Sequence, residues 1–115
     1  MSTEANDKAV NQAILQGKSM EAFEQYYADD VVMQENTDEP TVGKAANRTR
    51  EQAFLGMVEE FHGVELLGSA VSGDLSFSEW MFDSKIKGMP RTKMHQVAVR
   101  RWKNGKIVHE RFYHK

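Results

Sequence analysis

Cysteine is absent from the 115 residues, so disulfides, thiolate metal sites, iron–sulfur clusters and cysteine nucleophiles are excluded. Proline occurs twice and glycine eight times, too few for a collagenous or low-complexity chain. No apolar run approaches the ~18 residues of a membrane span. The opening Met1-Ser2-Thr3-Glu4-Ala5-Asn6-Asp7-Lys8 lacks the basic flank and apolar stretch of a secretory signal. A cytoplasmic protein without a membrane partner is expected, and the sequon Asn47-Arg48-Thr49 is then idle. The histidines His62, His95, His109 and His114 show no compact ligand spacing, and glycine-rich phosphate loops are missing. Neither a metal nor a cofactor is expected.

What is present is an ordinary globular composition, 40% apolar and 28% charged. The length suits one domain, 1–115, with residues 1–7 expected as a disordered tail. Such a chain buries roughly two thirds of its unfolded surface and folds without staples. The net charge of −2 hides an asymmetry: up to Ser84 there are 16 acids and 5 Lys/Arg, and from Lys85 onward 10 Lys/Arg and the single acid Glu110. A basic half can be a nucleic-acid footprint. Here the basic residues alternate with core residues instead of forming a run, so packing of acidic helices beside basic strands is the simpler reading, and no nucleic-acid partner is expected.

Val10, Ala13, Ile14 and Gly17 recur at helical spacing, which predicts a helix over 5–16 stopped at Gly17. Ser19 caps a second helix, 19–28, with Met20, Phe23 and Tyr27 as its buried stripe. Val31-Val32-Met33-Gln34-Glu35 reads as a short strand and 36–46 as a loop. A third helix follows over 47–62, with Phe54, Met57, Val58 and Phe61 as its apolar stripe. After His62-Gly63 the period becomes alternating, giving strands 64–72, 76–87, 92–103 and 106–113. Asn104-Gly105 predicts a type I′ hairpin.

This order is α+β: three helices covering one face of a bent antiparallel sheet, a cone. On 92–103, His95, Val97 and Val99 point one way and Met94, Gln96, Ala98, Arg100 and Trp102 the other. The valines suggest that the first set meets the helices. The second set has an interface's mixed composition, so a homodimer through Gln96, Ala98, Arg100 and Trp102 is expected.

Two stretches, Ala22-Phe23-Glu24-Gln25-Tyr26-Tyr27-Ala28-Asp29-Asp30-Val31-Val32 and Lys103-Asn104-Gly105-Lys106-Ile107-Val108-His109-Glu110-Arg111-Phe112-Tyr113, resemble the SnoaL-like members of the nuclear transport factor 2-like superfamily. The resemblance spans about residues 8–113. It implies a cone-shaped fold, usually dimeric, shared by isomerases, polyketide cyclases, dehydratases, epoxide hydrolases and non-catalytic binding modules. The similar cyclases place an essential aspartate on a late strand; here no Asp follows Asp83, and Glu110 is the one later carboxylate.

A pocket in such a cone uses acids, His or Tyr for proton transfer, because burial brings their pKa values toward neutrality. Glu35 at the end of the first strand, His95 and Glu110 are the candidate catalytic groups, with His95 and Glu110 pairing across neighbouring strands. Each also has a plain structural explanation: a solvated strand end, a packed core histidine, a buried ion pair. For Glu110 the alternative face, His109, Arg111 and Tyr113, stays open. Tyr27, Trp80 and Phe82 are candidate wall residues for a small apolar or amphipathic ligand. The expected function is a cofactor-free acid/base enzyme of isomerase, cyclase or dehydratase type acting on an apolar carbonyl or cyclic compound, with a non-catalytic binding or dimerisation module as the alternative.

Overall fold

The structure, a computed structural model, describes residues 2–115. Helix α1 spans Thr3–Leu15 and is opened by Ser2, whose hydroxyl accepts the Ala5 N–H at 3.1 Å. Residues 3–7 are therefore helix and not a tail, and Asp7 is buried because the sheet bonds to its carboxylate. Helix α2, Ser19–Tyr26, ends where Tyr27 takes extended backbone. Strand β1, Tyr27–Glu35, starts there, so Tyr27 belongs to the sheet and not to the helix.

A two-residue strand β2, Thr41–Val42, leads into helix α3, Lys44–Met57. This helix stops at Met57 rather than residue 62. Val58 is extended and opens strand β3, Val58–Ser72, pairing with Ile86. Phe61, expected on the helical stripe, is thus an exposed strand residue. Strands β4, Leu75–Ile86, β5, Thr92–Lys103, and β6, Lys106–His114, complete the meander. Asn104 and Gly105 have φ of 52° and 75° and connect Lys103 to its partner Lys106, the left-handed pair that a type I′ turn requires.

The strand order is β2-β1-β6-β5-β4-β3. All neighbours are antiparallel except β1 and β6, which run parallel, so the sheet is mixed and not wholly antiparallel. The main core lies where α1 and α2 cross the middle strands, built from Val10, Ala22, Phe23, Tyr27, Val31, Met33, Trp102 and Ile107.

On β5 the face assignment is the reverse of the expected one. Ala98, Arg100 and Trp102 are buried beneath the helices, while His95 is exposed. Gln96, Ala98, Arg100 and Trp102 are therefore not an outer contact surface. The reason is partnering: Arg100 finds two carboxylates inside, and the Trp102 indole N–H donates to Ser76 Oγ at 3.0 Å. His95, Val97 and Val99 turn outward beside Met81, Glu79 and Phe77 of β4.

Candidate functional site

The register lays the inner face out in rows. Ser76, Arg100, Glu110 and Met33 lie side by side on β4, β5, β6 and β1. The next row is Ser78, Ala98, Phe112 and Glu35, and the third Trp80, Gln96 and His114. One bulge makes this possible. Arg101 pairs with His109 but Trp102 with Ile107, so Val108 is an extra residue and both Ile107 and Glu110 turn inward.

The first row carries a polar network centred on Arg100. Arg100 donates through Nε to Glu110 Oε2 at 2.7 Å and through Nη1 to Asp7 Oδ1 at 2.8 Å and Asn11 Oδ1 at 2.7 Å. Ser76 donates to Asp7 Oδ1 at 2.7 Å, and the Tyr27 hydroxyl donates to Glu110 Oε1 at 2.5 Å. Burial and then the negative charge of Glu110 hold the Tyr27 phenol well above its usual range, so it stays a donor. Arginine keeps its proton at any working pH. Glu110 therefore has the inward position that one of the two open readings gave it, but its partner is Arg100 and not His95. His95, on the opposite face, does not join Glu35 and Glu110.

A second group lies at the other end of the inner face, beneath α3. His114 Nε2 stands 3.6 Å from Glu35 Oε1, and Arg50 Nη2 stands 3.7 Å from the same oxygen. Arg50 also donates to Glu51 Oε1 at 3.3 Å. Burial, then the charge of Glu110, pushes the Glu51 carboxyl up; Arg50 pulls it back and Glu35 adds to the rise. Asn36 fixes the geometry. With φ of 50° it turns the end of β1, accepts the His114 backbone N–H on Oδ1 at 2.9 Å, and accepts Arg111 Nε on its carbonyl at 2.8 Å. Glu35 Oε2 and His114 Nε2 are buried atoms without a hydrogen-bond partner.

Trp80 and Phe82 stack with centroids 5.9 Å apart on the inner face, and the Trp80 indole donates to Ser78 Oγ at 2.9 Å. Tyr27 sits deeper, against Phe23 and bonded to Glu110, away from Glu35. Sequence reasoning did not single out Glu51, Arg50, Asn36 or His114 for this site. The signal for His114 was available: on β6, Glu110, Phe112 and His114 share a strand period. Among the described residues no group of three or more His, Asp or Glu side chains could hold a metal ion, and no helix is long and apolar enough to cross a membrane.

A curved mixed sheet covered on one face by three helices is the architecture of the nuclear transport factor 2-like class. Within it, the SnoaL-like domain family model matches residues 1–114, and the chain belongs to that family. A solved structure from Mesorhizobium loti, a candidate SnoaL-like polyketide cyclase, is 32% identical with a TM-score of 0.91, over 98% of this chain and 99% of that one. An LEH-like epoxide hydrolase of M. tuberculosis is 22% identical with a TM-score of 0.76, over 99% of this chain and 84% of that one. A ketosteroid isomerase-like protein from Catenulispora acidiphila, solved with trimethylamine, is 19% identical with a TM-score of 0.72, over 88% and 78%. The last two share the fold alone. No curated protein matches the chain.

Proposed function

We propose that this SnoaL-like protein is a cofactor-free acid/base enzyme that moves a proton on a small carbonyl or cyclic compound, with Glu35 as the base. The supporting observation is the pair of buried, unpartnered atoms, Glu35 Oε2 and His114 Nε2, at one end of the inner face. Buried polar atoms without partners are costly, and a substrate whose acidic C–H meets Glu35 Oε2 and whose oxygen accepts from a protonated His114 Nε2 offsets that cost. Glu51, whose carboxyl burial and the charge of Glu110 push above the ordinary range, is assigned as the proton donor to the substrate oxygen, and His114 as the group that orients that oxygen. Glu110, bonded by the Tyr27 hydroxyl on one oxygen and by Arg100 on the other, is too fully partnered to transfer protons and serves as part of a rigid floor.

The test is deuterium incorporation next to the carbonyl of small cyclic ketones and enones in D2O, followed by NMR. The wild type is expected to exceed the buffer rate, and Glu35→Gln to lose roughly a hundredfold or more. Wild-type exchange no faster than buffer, or equal rates in wild type, Glu35→Gln and His114→Ala, overturns the proposal and leaves a binding module.

We also propose a homodimer through the true outer face. Phe77 and Tyr113 are exposed there, with Val97 and Val99 between them. Glu65 and Glu79 lie on the β3–β4 side and Arg101 and Arg111 on the β5–β6 side. A twofold axis along the strands sets each acidic side against the partner's basic side.

A further inference from the structure

A hollow of about 370 Å³ lies between α1 and β3, apart from the Glu35–His114 group. Its helix side is Glu4, Asp7, Lys8, Asn11 and Gln12, and its strand side Leu66, Ser69, Ala70 and Val71. We infer that this hollow is a second ligand site, for a small organic ammonium ion whose N–H groups bond Asp7 and whose alkyl part lies on β3.

Three observations carry this. Asp7 is 2% exposed yet unevenly satisfied: Oδ1 accepts both Arg100 and Ser76, whereas Oδ2 has only Asn11 Nδ2 at 3.4 Å. A buried carboxylate oxygen with one long bond retains most of its accepting capacity. The charge is also unbalanced. Arg100 is one cation between two carboxylates, Asp7 and Glu110, so the buried group sums to −1, and a buried net charge is stabilised by a counter-charge. At the rim, Glu4 and Lys8 stand one turn apart on α1 and cancel, so the net attraction of the hollow comes from its floor. Finally, the strand side supplies apolar surface from Leu66 and Val71, with the Ser69 hydroxyl as a second acceptor. An ammonium group with a short alkyl chain or ring matches this lining. An anion meets the Asp7 carboxylate, and a neutral alcohol leaves the charge unbalanced.

The experiment titrates the full-length protein with cyclohexylammonium and with cyclohexanol, nearly isosteric probes, following backbone amides by NMR. Cyclohexylammonium is expected to shift amides of residues 4–12 and 66–71 and to bind at least about tenfold more tightly than the alcohol. Asp7→Asn is expected to abolish that preference. Because Asp7→Asn also touches Arg100 and can impair folding, Ser69→Phe is the second variant: it fills the hollow from an exposed strand position and is expected to weaken ammonium binding about tenfold. Glu35→Gln is expected to leave it unchanged. Equal affinity for the two probes, shifts centred on Glu35 and His114, or undiminished binding in a folded Ser69→Phe variant would each overturn the assignment.

Discussion

Arg100 is the residue on which the interior turns, because it is fully buried and holds carboxylates from α1 and β6 together. Arg100→Met leaves Asp7 and Glu110 without a counter-charge and is expected to cost about 3–5 kcal/mol in urea unfolding. Neutralising the carboxylates as well, with Asp7→Asn and Glu110→Gln, is expected to recover much of that loss, since well-packed neutral side chains can replace a buried ionic group. Glu51 makes the opposite case. A carboxyl whose folded pKa is raised binds its proton more tightly folded than unfolded. Its contribution is fully present below the unfolded pKa of about 4.3 and is lost as pH rises through the folded value. Glu51→Gln is therefore expected to melt above wild type near neutral pH, with the difference closing below about pH 4. Thermal melts across that range measure it.

Helix α3 is anchored at one end. Asn47 is completely buried, and its Nδ2 lies within hydrogen-bond distance of the carbonyls of Gly43, Thr41 and Val31 at 2.8, 3.0 and 3.3 Å, tying the helix to β1 and β2. Residues 52–57, by contrast, are exposed on every side, Phe54, Leu55 and Met57 included. Asn47→Ala is expected to cost about 2 kcal/mol and to speed amide exchange through α3 more than through β4 or β5. The elements differ in how far the sequence announced them. Asn104-Gly105 carries its turn in two residues, and the hairpin is where it was expected. The end of α3 was hidden because Val58 and Phe61 suit a helical stripe as well as a strand. The faces of β5 were hidden for another reason: alternation separates Ala98, Arg100 and Trp102 from His95, Val97 and Val99 but does not say which set is inside. That depended on Asp7 and Glu110, which reach Arg100 only after folding. Glu35 was legible as a strand-end acid. The strand period put His114 on the same face as Glu110, but its closeness to Glu35 was hidden, since it comes from the parallel pairing of β1 with β6.

For the whole molecule, the acidic and basic halves of the chain meet inside it, Asp7 with Arg100, as well as on its surface, Lys85 with Glu59. The outer sheet face carries the proposed dimer contact. Val97→Lys places a charge at its centre without touching the inner rows, and is expected to convert a sedimenting dimer into a monomer of 13.1 kDa while keeping the circular dichroism of the fold. A wild type that sediments as a monomer at micromolar concentration would rule the interface out. If the dimer forms, raising the salt concentration is expected to weaken it, because its charged pairs lie at the periphery.

The parallel pairing of β1 with β6 also governs the order of events during synthesis. Val10, Phe23, Tyr27, Val31 and Met33 are made early, yet the core they enter is completed by Trp102 and Ile107. Until β6 leaves the ribosome, those side chains face water, and Asp7 lacks the arginine that β5 delivers. The first third of the chain must therefore wait, adhesive and unfolded, for the last strand to arrive. Closing so long a loop carries an entropic cost and makes slow folding the expected outcome. In a crowded cell this waiting period, more than the stability of the finished cone, is expected to set how readily the chain aggregates.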